Sequence, residues 1–242
     1  MGAAKVARPW VAAVVLAGLA GTASAARSQE GHPHQPSQPH GAPHEHPGGS
    51  HGNPADLDAY AAHLESAERA AWQKPDEVVA ALGLKAGQTA CDIGSGTGYF
   101  TLRLARAVGA DGRVFAVDVE PRLLSLLAER VAAAGLVNVT PVLARPDDPL
   151  LPRAACDVVL IVDTYHHFPD GPAYLRGLRR VLAPGGRVVN IDFHKRDTPV
   201  GPPLAHRIAR EDFLRDAESA GLAVASEETF LPHQYFLVLR TH

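Results

Sequence analysis

Residues 91–100 read CDIGSGTGYF, and an apolar run at 114–117 (VFAV) then leads to Asp118, twenty positions after Gly98. Working outward, residues 88–93 form a short apolar stretch with the character of a buried strand. Gly94-Ser95-Gly96-Thr97-Gly98 follows, and then Tyr99, Leu102, Leu104, Ala105 and Val108 recur at helical spacing. Glycines in such a turn allow backbone angles and close approaches that a Cβ would block. A strand, a glycine turn, a helix and an acid at the tip of the next strand outline a site for an adenosine-bearing cofactor in an α/β sheet. A tight strand-to-helix turn with no ligand is the plain alternative. It must account for three glycines and two acids at the same end of two strands.

The spacing narrows the cofactor. A dinucleotide fingerprint is G-x-G-x-x-G, whose turn delivers a pyrophosphate to a helix N-terminus. Here the spacing is G-x-G-x-G, and Tyr99 stands where the last glycine of that fingerprint would be. S-adenosylmethionine carries no pyrophosphate; it needs room for a ribose and an amino-acid tail. Asp92 is placed to hold the tail's ammonium, and Asp118 to accept both ribose hydroxyls, with Val119 beside it. Gly94, Ser95, Gly96 and Gly98 complete the expected cofactor contacts.

Together these residues resemble the class I S-adenosylmethionine-dependent methyltransferases, over about Trp72 to Arg240. Asp92–Gly98 is similar to the family's first motif and Asp118 to its ribose-binding acid. Leu182-Ala183-Pro184-Gly185-Gly186-Arg187 is similar to the turn before its fifth strand. The resemblance is strongest to small bacterial members of the broad quinone-biosynthesis and arsenite methyltransferase-like group. The chain has only Cys91 and Cys156, not the three clustered cysteines of an arsenite enzyme. The resemblance implies a Rossmann-like sheet of seven strands, mostly parallel with a C-terminal antiparallel hairpin, and helices on both faces.

Periodicity agrees with that fold class. Strands are predicted at 113–118, 137–143, 157–163, 186–193, 222–230 and 234–240, and helices at 99–108, 121–134, 171–182 and 210–220. Such alternation argues for an α/β domain, here 85–242, preceded by a helical lid segment at 55–84. Cys91 and Cys156 fall on neighbouring strands, but one is mid-strand and the other precedes its strand, so two buried thiols are expected. The resemblance places an acid near the adenine in the loop after the third strand. Asp147 is the candidate and Asp148 the alternate, against the reading of a solvated acidic turn.

Ligands in open sheets bind beyond the carboxyl ends of the strands. The fourth strand runs into Asp163-Thr164-Tyr165-His166-His167, and the fifth ends near His194. Methyl transfer needs alignment of the acceptor, exclusion of water and, for a protonated acceptor, a base. His166 is the first candidate for that base, with Asp163 and His167 beside it. Tyr165 is expected to face the cofactor's cationic end. Trp72 and Tyr60 from the lid segment, with His194, His233 and Tyr235, are expected to line the substrate cavity. Asp163, His166, His167 and His194 are also sensible metal ligands by type, but sequence does not fix their geometry, and no resident metal is expected.

Lys5 and Arg8 precede an apolar run at 10–20 and a small-residue stretch ending at Ala26. This pattern, over 1–26, reads as an export signal. The apolar run is short for a membrane span, so no stable span is expected after cleavage. Export to the periplasm is the expectation, and an uncleaved anchor the alternative. Residues 27–54 hold six of the thirteen histidines in a Gly/Pro/Ser background and read as a disordered linker with weak transition-metal affinity. The formal charge of −3 offers no general attraction to nucleic acid. Arg176, Arg179 and Arg180 on one helix read as a solvated face. A small-molecule methyl acceptor is therefore the leading partner. A macromolecular methyltransferase, a non-catalytic cofactor binder and an exported metal-handling protein remain alternatives, and oligomeric state is not legible.

Overall fold

The computed structural model describes residues 56–242. The export signal and the histidine-rich linker expected from sequence lie outside the described residues. Three short helices, α1 (Leu57–Leu64), α2 (Arg69–Gln73) and α3 (Pro75–Ala81), precede β1 (Thr89–Ile93). There follow α4 (Thr101–Val108), β2 (Arg113–Asp118), α5 (Pro121–Ala133), β3 (Val139–Leu143), β4 (Cys156–Val162), α6 (Gly171–Val181), β5 (Leu182–Phe193), α7 (Arg210–Ser219), β6 (Leu222–Glu228) and β7 (Gln234–Thr241). These bounds lie close to those read from sequence. The main difference is β5, whose ladder begins at Leu182 because Leu182 pairs with Cys156 across an irregularity in the β4 register.

The strand order is β3-β2-β1-β4-β5-β7-β6, parallel except where β7 pairs antiparallel with β5 and β6. The expected hairpin is therefore present, with β7 inserted between β5 and β6. Chain direction explains the layers. A parallel neighbour needs a crossover, so helices cover both faces and the central strands become apolar throughout. In β4 the run Val158–Ile161 is fully buried, and β1 is buried from Ala90 to Ile93. At the edge, β6 is mostly exposed and ends in Glu227 and Glu228, charges that discourage further pairing.

Local chemistry sets the helix ends. Asp56, Glu120 and Asp170 each accept a backbone N–H from the first turn of α1, α5 and α6, with Pro121 and Pro172 in the opening positions of the last two. Asn138 donates to the carbonyls of Ala105 and Gly109, closing the end of α4 from the loop before β3.

One expectation is corrected. Cys91 and Cys156 are buried, as read from sequence, but they are joined in a disulfide rather than left as thiols. The register explains why the sequence argument missed it. Cys91 pairs with Val159, three residues beyond Cys156, yet the two Cα atoms lie 5.9 Å apart. The bond spans a sequence separation of 65 and ties the strand carrying the glycine turn to the strand carrying Asp163. On chain-entropy grounds a closed loop of this size is worth about 4 kcal/mol. A Cys91→Ala/Cys156→Ala double variant is expected to unfold at a clearly lower temperature than the oxidised wild type. An equal midpoint, with no thiol titratable in the unfolded wild type, would show that the bond carries no stability.

Candidate active site

The winding of the sheet reverses between β1 and β4, so the helices that follow these two strands leave on opposite faces and open a crevice at their carboxyl ends. The glycine turn sits there. Gly94, Gly96 and Gly98 all have positive φ, at 72°, 54° and 91°. Their small size serves different contacts. A Cβ on Gly94 would fall 2.3 Å from Thr164 Oγ1, so this glycine lets the loop after β4 close onto the turn. A Cβ on Gly98 would meet Leu102 and Leu127, which concerns the packing of α4 and α5. Gly96 faces Leu64 of α1.

Two acids flank the turn. Asp118 accepts from Gly96 N at 2.7 Å and from Glu120 N at 2.9 Å, one bond to each carboxylate oxygen, and is 8% exposed. Each oxygen keeps a second acceptor site. Asp92 accepts from Thr101 Oγ1 at 2.6 Å and is buried, and burial lifts its pKa to about 6 against the pull of Thr101. Val119 follows Asp118, and Leu143 is its strand partner on β3; both are large apolar residues left about half exposed. That exposed pair offers a surface for a planar apolar ring.

Helices α1 and α2 close the crevice from above. Glu65 accepts from Thr97 Oγ1 at 2.5 Å and pairs with Arg130 of α5, while Asp58 meets Arg122 at 2.5 Å. Tyr60 lies in this cover, where burial and the charges of Asp118 and Asp163 raise its pKa. It faces the crevice, nearer the ribose acid than the substrate cavity anticipated for it. Arg69 stacks over the Tyr99 ring at 4.1 Å and also donates to Gln73 Oε1.

From Arg69 a polar chain runs to Asp163. Gln73 Nε2 donates to Gln234 Oε1 at 3.3 Å, and Gln234 Nε2 donates to both Asp163 oxygens at 3.1 Å. Gln73 and Gln234 are buried. Asp163 has φ 51°, a backbone state uncommon outside glycine and concentrated at functional sites. Burial first, and then the charge of Asp192, push its pKa up to about 7, against the opposing influence of Arg69, His166 and Gln234. Arg69, Gln73 and Gln234 were not singled out from sequence. The available signals were faint: an Arg and a Gln four apart before the first strand, and a glutamine opening an otherwise apolar strand.

Other candidates scatter. His166 is buried and its ring lies 4.2 Å from that of His167 in the turn after β4. His194 N bonds to His233 O at 3.0 Å, so these two histidines share the end of the β5–β7 pair. Trp72 packs on Phe193 with ring centroids 5.4 Å apart, at the end of the sheet. Tyr165 and Tyr235 require correction. Both are at most 1% exposed; Tyr165 packs edge-on to Phe213 and its hydroxyl bonds to Asp216 of α7 at 2.9 Å. On a short turn after β4, successive side chains diverge, and the apolar face of Tyr165 is drawn under α7 rather than over the crevice. Tyr235 follows Gln234 on β7 and so points to the opposite face of the sheet. Asp147 and Asp148 lie in a surface turn with Arg145, where Asp148 also accepts from Leu150 N. Among the described residues no three His, Cys, Asp or Glu side chains converge as metal ligands, and no helix is long and apolar enough to cross a membrane.

The comparisons with known proteins agree with this geometry. Residues 90–186 match the family model of a methyltransferase domain. A crystallised S-adenosylmethionine-dependent methyltransferase from Aquifex aeolicus is 26% identical, with a TM-score of 0.72, covering 75% of this chain and 96% of that one. These matches support a likeness to the class I S-adenosylmethionine-dependent methyltransferase family. The ubiquinone/menaquinone biosynthesis C-methyltransferase UbiE of Vibrio vulnificus is 33% identical over 124 residues, 51% of this chain and 46% of that protein. Its counterpart from an Enterobacter species is 34% identical over the same length. The chain spans about half the length of these relatives. These similarities imply S-adenosylmethionine as the cofactor.

The residues present fit that cofactor. The crevice gathers Asp92, Asp118 and Asp163 against one guanidinium, Arg69, a balance that suits a sulfonium and an ammonium and would repel a pyrophosphate. If Asp92 holds the ammonium, its protonation removes the partner. The part of the affinity for S-adenosylhomocysteine that Asp92 supplies is then expected to be lost as pH drops through about 6. Calorimetry across that range tests this; in Asp92→Asn the affinity should be lower and flat with pH down to the titration of other groups.

Proposed function

We propose that the protein catalyses methyl transfer from S-adenosylmethionine to a small acceptor bound at the end of β4 and β5. The observation that carries this reading is the closed crevice between β1 and β4, with acids on its strand ends and Arg69 beneath the α1–α2 cover. The bound cofactor supplies an electrophilic methyl group on a sulfonium. Asp118 would hold the ribose hydroxyls, Asp92 the ammonium and Arg69 the carboxylate of the aminoacyl tail. Val119 and Leu143 would cover the adenine. The α1–α2 cover excludes water, which strengthens each of these polar contacts. Asp163, fixed by Gln234, would face the acceptor.

The names of the relatives point to carbon methylation of a quinone precursor, a small aromatic acceptor. Export is part of the same proposal. A buried disulfide at the heart of the sheet supports folding in an oxidising compartment, since cytosolic thiols are kept reduced. N-terminal sequencing of the mature protein from its natural host tests export, with a start near Ala26 or Arg27 expected and an intact Met1 contradicting it.

For the cofactor site, calorimetry with S-adenosylhomocysteine on the full-length chain is expected to show saturable binding. It should weaken about tenfold or more in Asp118→Ala and in Arg69→Met, the loss of a charge-assisted hydrogen bond being worth about 1.5–3 kcal/mol. NAD should not bind. A folded protein that binds neither ligand would remove the methyltransferase reading.

A further inference from the structure

We propose that Asp192 is a positioning residue that holds His166 as the proton acceptor of the reaction. The methyl acceptor would then be a compound whose nucleophilic atom must lose a proton: a phenolic or enolic oxygen, or a ring carbon activated by one. This rests on the methyltransferase reading above and deepens it.

Asp192 is fully buried near the end of β5, among Val188, Val189, Ile191 and Phe193. A carboxylate in such a run costs several kcal/mol unless its charge is met. One oxygen, Oδ1, accepts from Phe193 N at 2.8 Å. The other, Oδ2, is sealed from solvent without a hydrogen-bond partner and lies 3.6 Å from His166 Nδ1, itself sealed and without a hydrogen-bond partner. Two unpartnered polar atoms of complementary type therefore face each other inside the protein. His166 belongs to a three-residue 3-10 turn, Tyr165–His167, so a ring adjustment of less than about 1 Å completes the bond at ordinary length. A bond from Nδ1–H to Asp192 fixes the tautomer and leaves Nε2 as the basic nitrogen. Because Nδ1 is enclosed, the 6% exposure of His166 belongs to the rest of the residue.

The surroundings support a base. His166 faces Asp192 from β5, Asp163 from the end of β4, the His167 ring from its own turn and, beyond Asp192, Tyr235 from β7. Arg69 of α2 acts on Asp163. Burial lowers the pKa of His166, but the hydrogen-bonding and charge influence of Asp192, with that of Asp163, outweighs burial and raises it above 6.5. General-base help from a positioned imidazole is worth about 10²–10⁴-fold. Acceptors that carry no acidic proton, such as thioethers or tertiary amines, would gain nothing from it. In the step itself the acceptor's electron pair forms the bond to the methyl carbon. The carbon–sulfur bond breaks with its pair left on sulfur, and the acceptor's proton passes to His166 Nε2, leaving an imidazolium opposite Asp192.

The test is long-range proton–nitrogen NMR of the full-length chain with labelled histidine, the His166 signals assigned by loss in His166→Gln. The wild type is expected to show the Nδ1–H tautomer of His166 and a titration midpoint above 6.5. In Asp192→Asn the midpoint should fall by about one unit or more. In parallel, with a naphthohydroquinone as probe acceptor, the acid limb of the rate profile should move down with it, and kcat should drop about 10²-fold in His166→Gln with little change in KM. An Nε2–H tautomer in the wild type, or an unchanged midpoint in a folded Asp192→Asn, would overturn the pairing. If that variant does not fold, the wild-type tautomer and the His166→Gln kinetics decide. S-adenosylhomocysteine binding should persist in both variants; its absence from the wild type would instead mean failure of the cofactor reading.

Discussion

At the seam between β1 and β4 the helices that follow the two strands leave for opposite faces of the sheet, so neither covers the strand ends. The rest of the molecule is arranged around that opening. Gly94 admits Thr164 at van der Waals range only because it has no side chain, and this brings the glycine turn and the loop after β4 into one wall. The disulfide crosses the same two strands lower down. Helices α1 and α2 then close from above, held by Glu65 and Asp58 to cations on α5.

Charge within the opening is unbalanced by design of the sheet ends rather than by net composition. The chain as a whole is close to neutral, yet Asp92, Asp118, Asp163 and Asp192 gather within one region that Arg69 enters from the cover. Burial raises the pKa of the first three. Such groups are costly to ionise when no cation is present, and they become favourable when a cationic ligand arrives. The same arrangement explains why glutamines, not further charges, link the cover to Asp163. An amide can donate to a carboxylate and accept from its neighbour without adding a second buried charge.

The sheet face under α6 and α7 is largely apolar, with Asn190, Asp192 and Tyr235 as polar exceptions on β5 and β7. Asp192 lies opposite Tyr235 in the β5–β7 pair, and Asn190 two residues earlier shares its face. Placing three polar groups there forgoes apolar burial and leaves donors and acceptors that packing alone does not require. The disulfide has the opposite character: it adds no polar chemistry and stiffens the strands that carry the site.

Much of the fold was legible in sequence because its signals are local. The Asp92–Gly98 turn and the alternation of periods set the element order, and Asp118 follows from its spacing after the turn at the end of an apolar run. Tyr165 and Tyr235 were misplaced because residue type and proximity to a strand end do not say which face a side chain takes. One residue's shift along a strand moves it from crevice to core, as Gln234 and Tyr235 illustrate. Arg69, Gln73, Gln234 and Asp192 had no sequence signature, since they act through partners as many as 161 positions away. The disulfide depended on how closely β1 and β4 bring Cys91 and Cys156 together, which no spacing rule reports. Sequence by itself determined the sheet, its glycine turn and the kind of cofactor, because short-range backbone constraints encode them. Only the tertiary structure decided which polar groups meet, because those contacts arise from the pairing of distant strands.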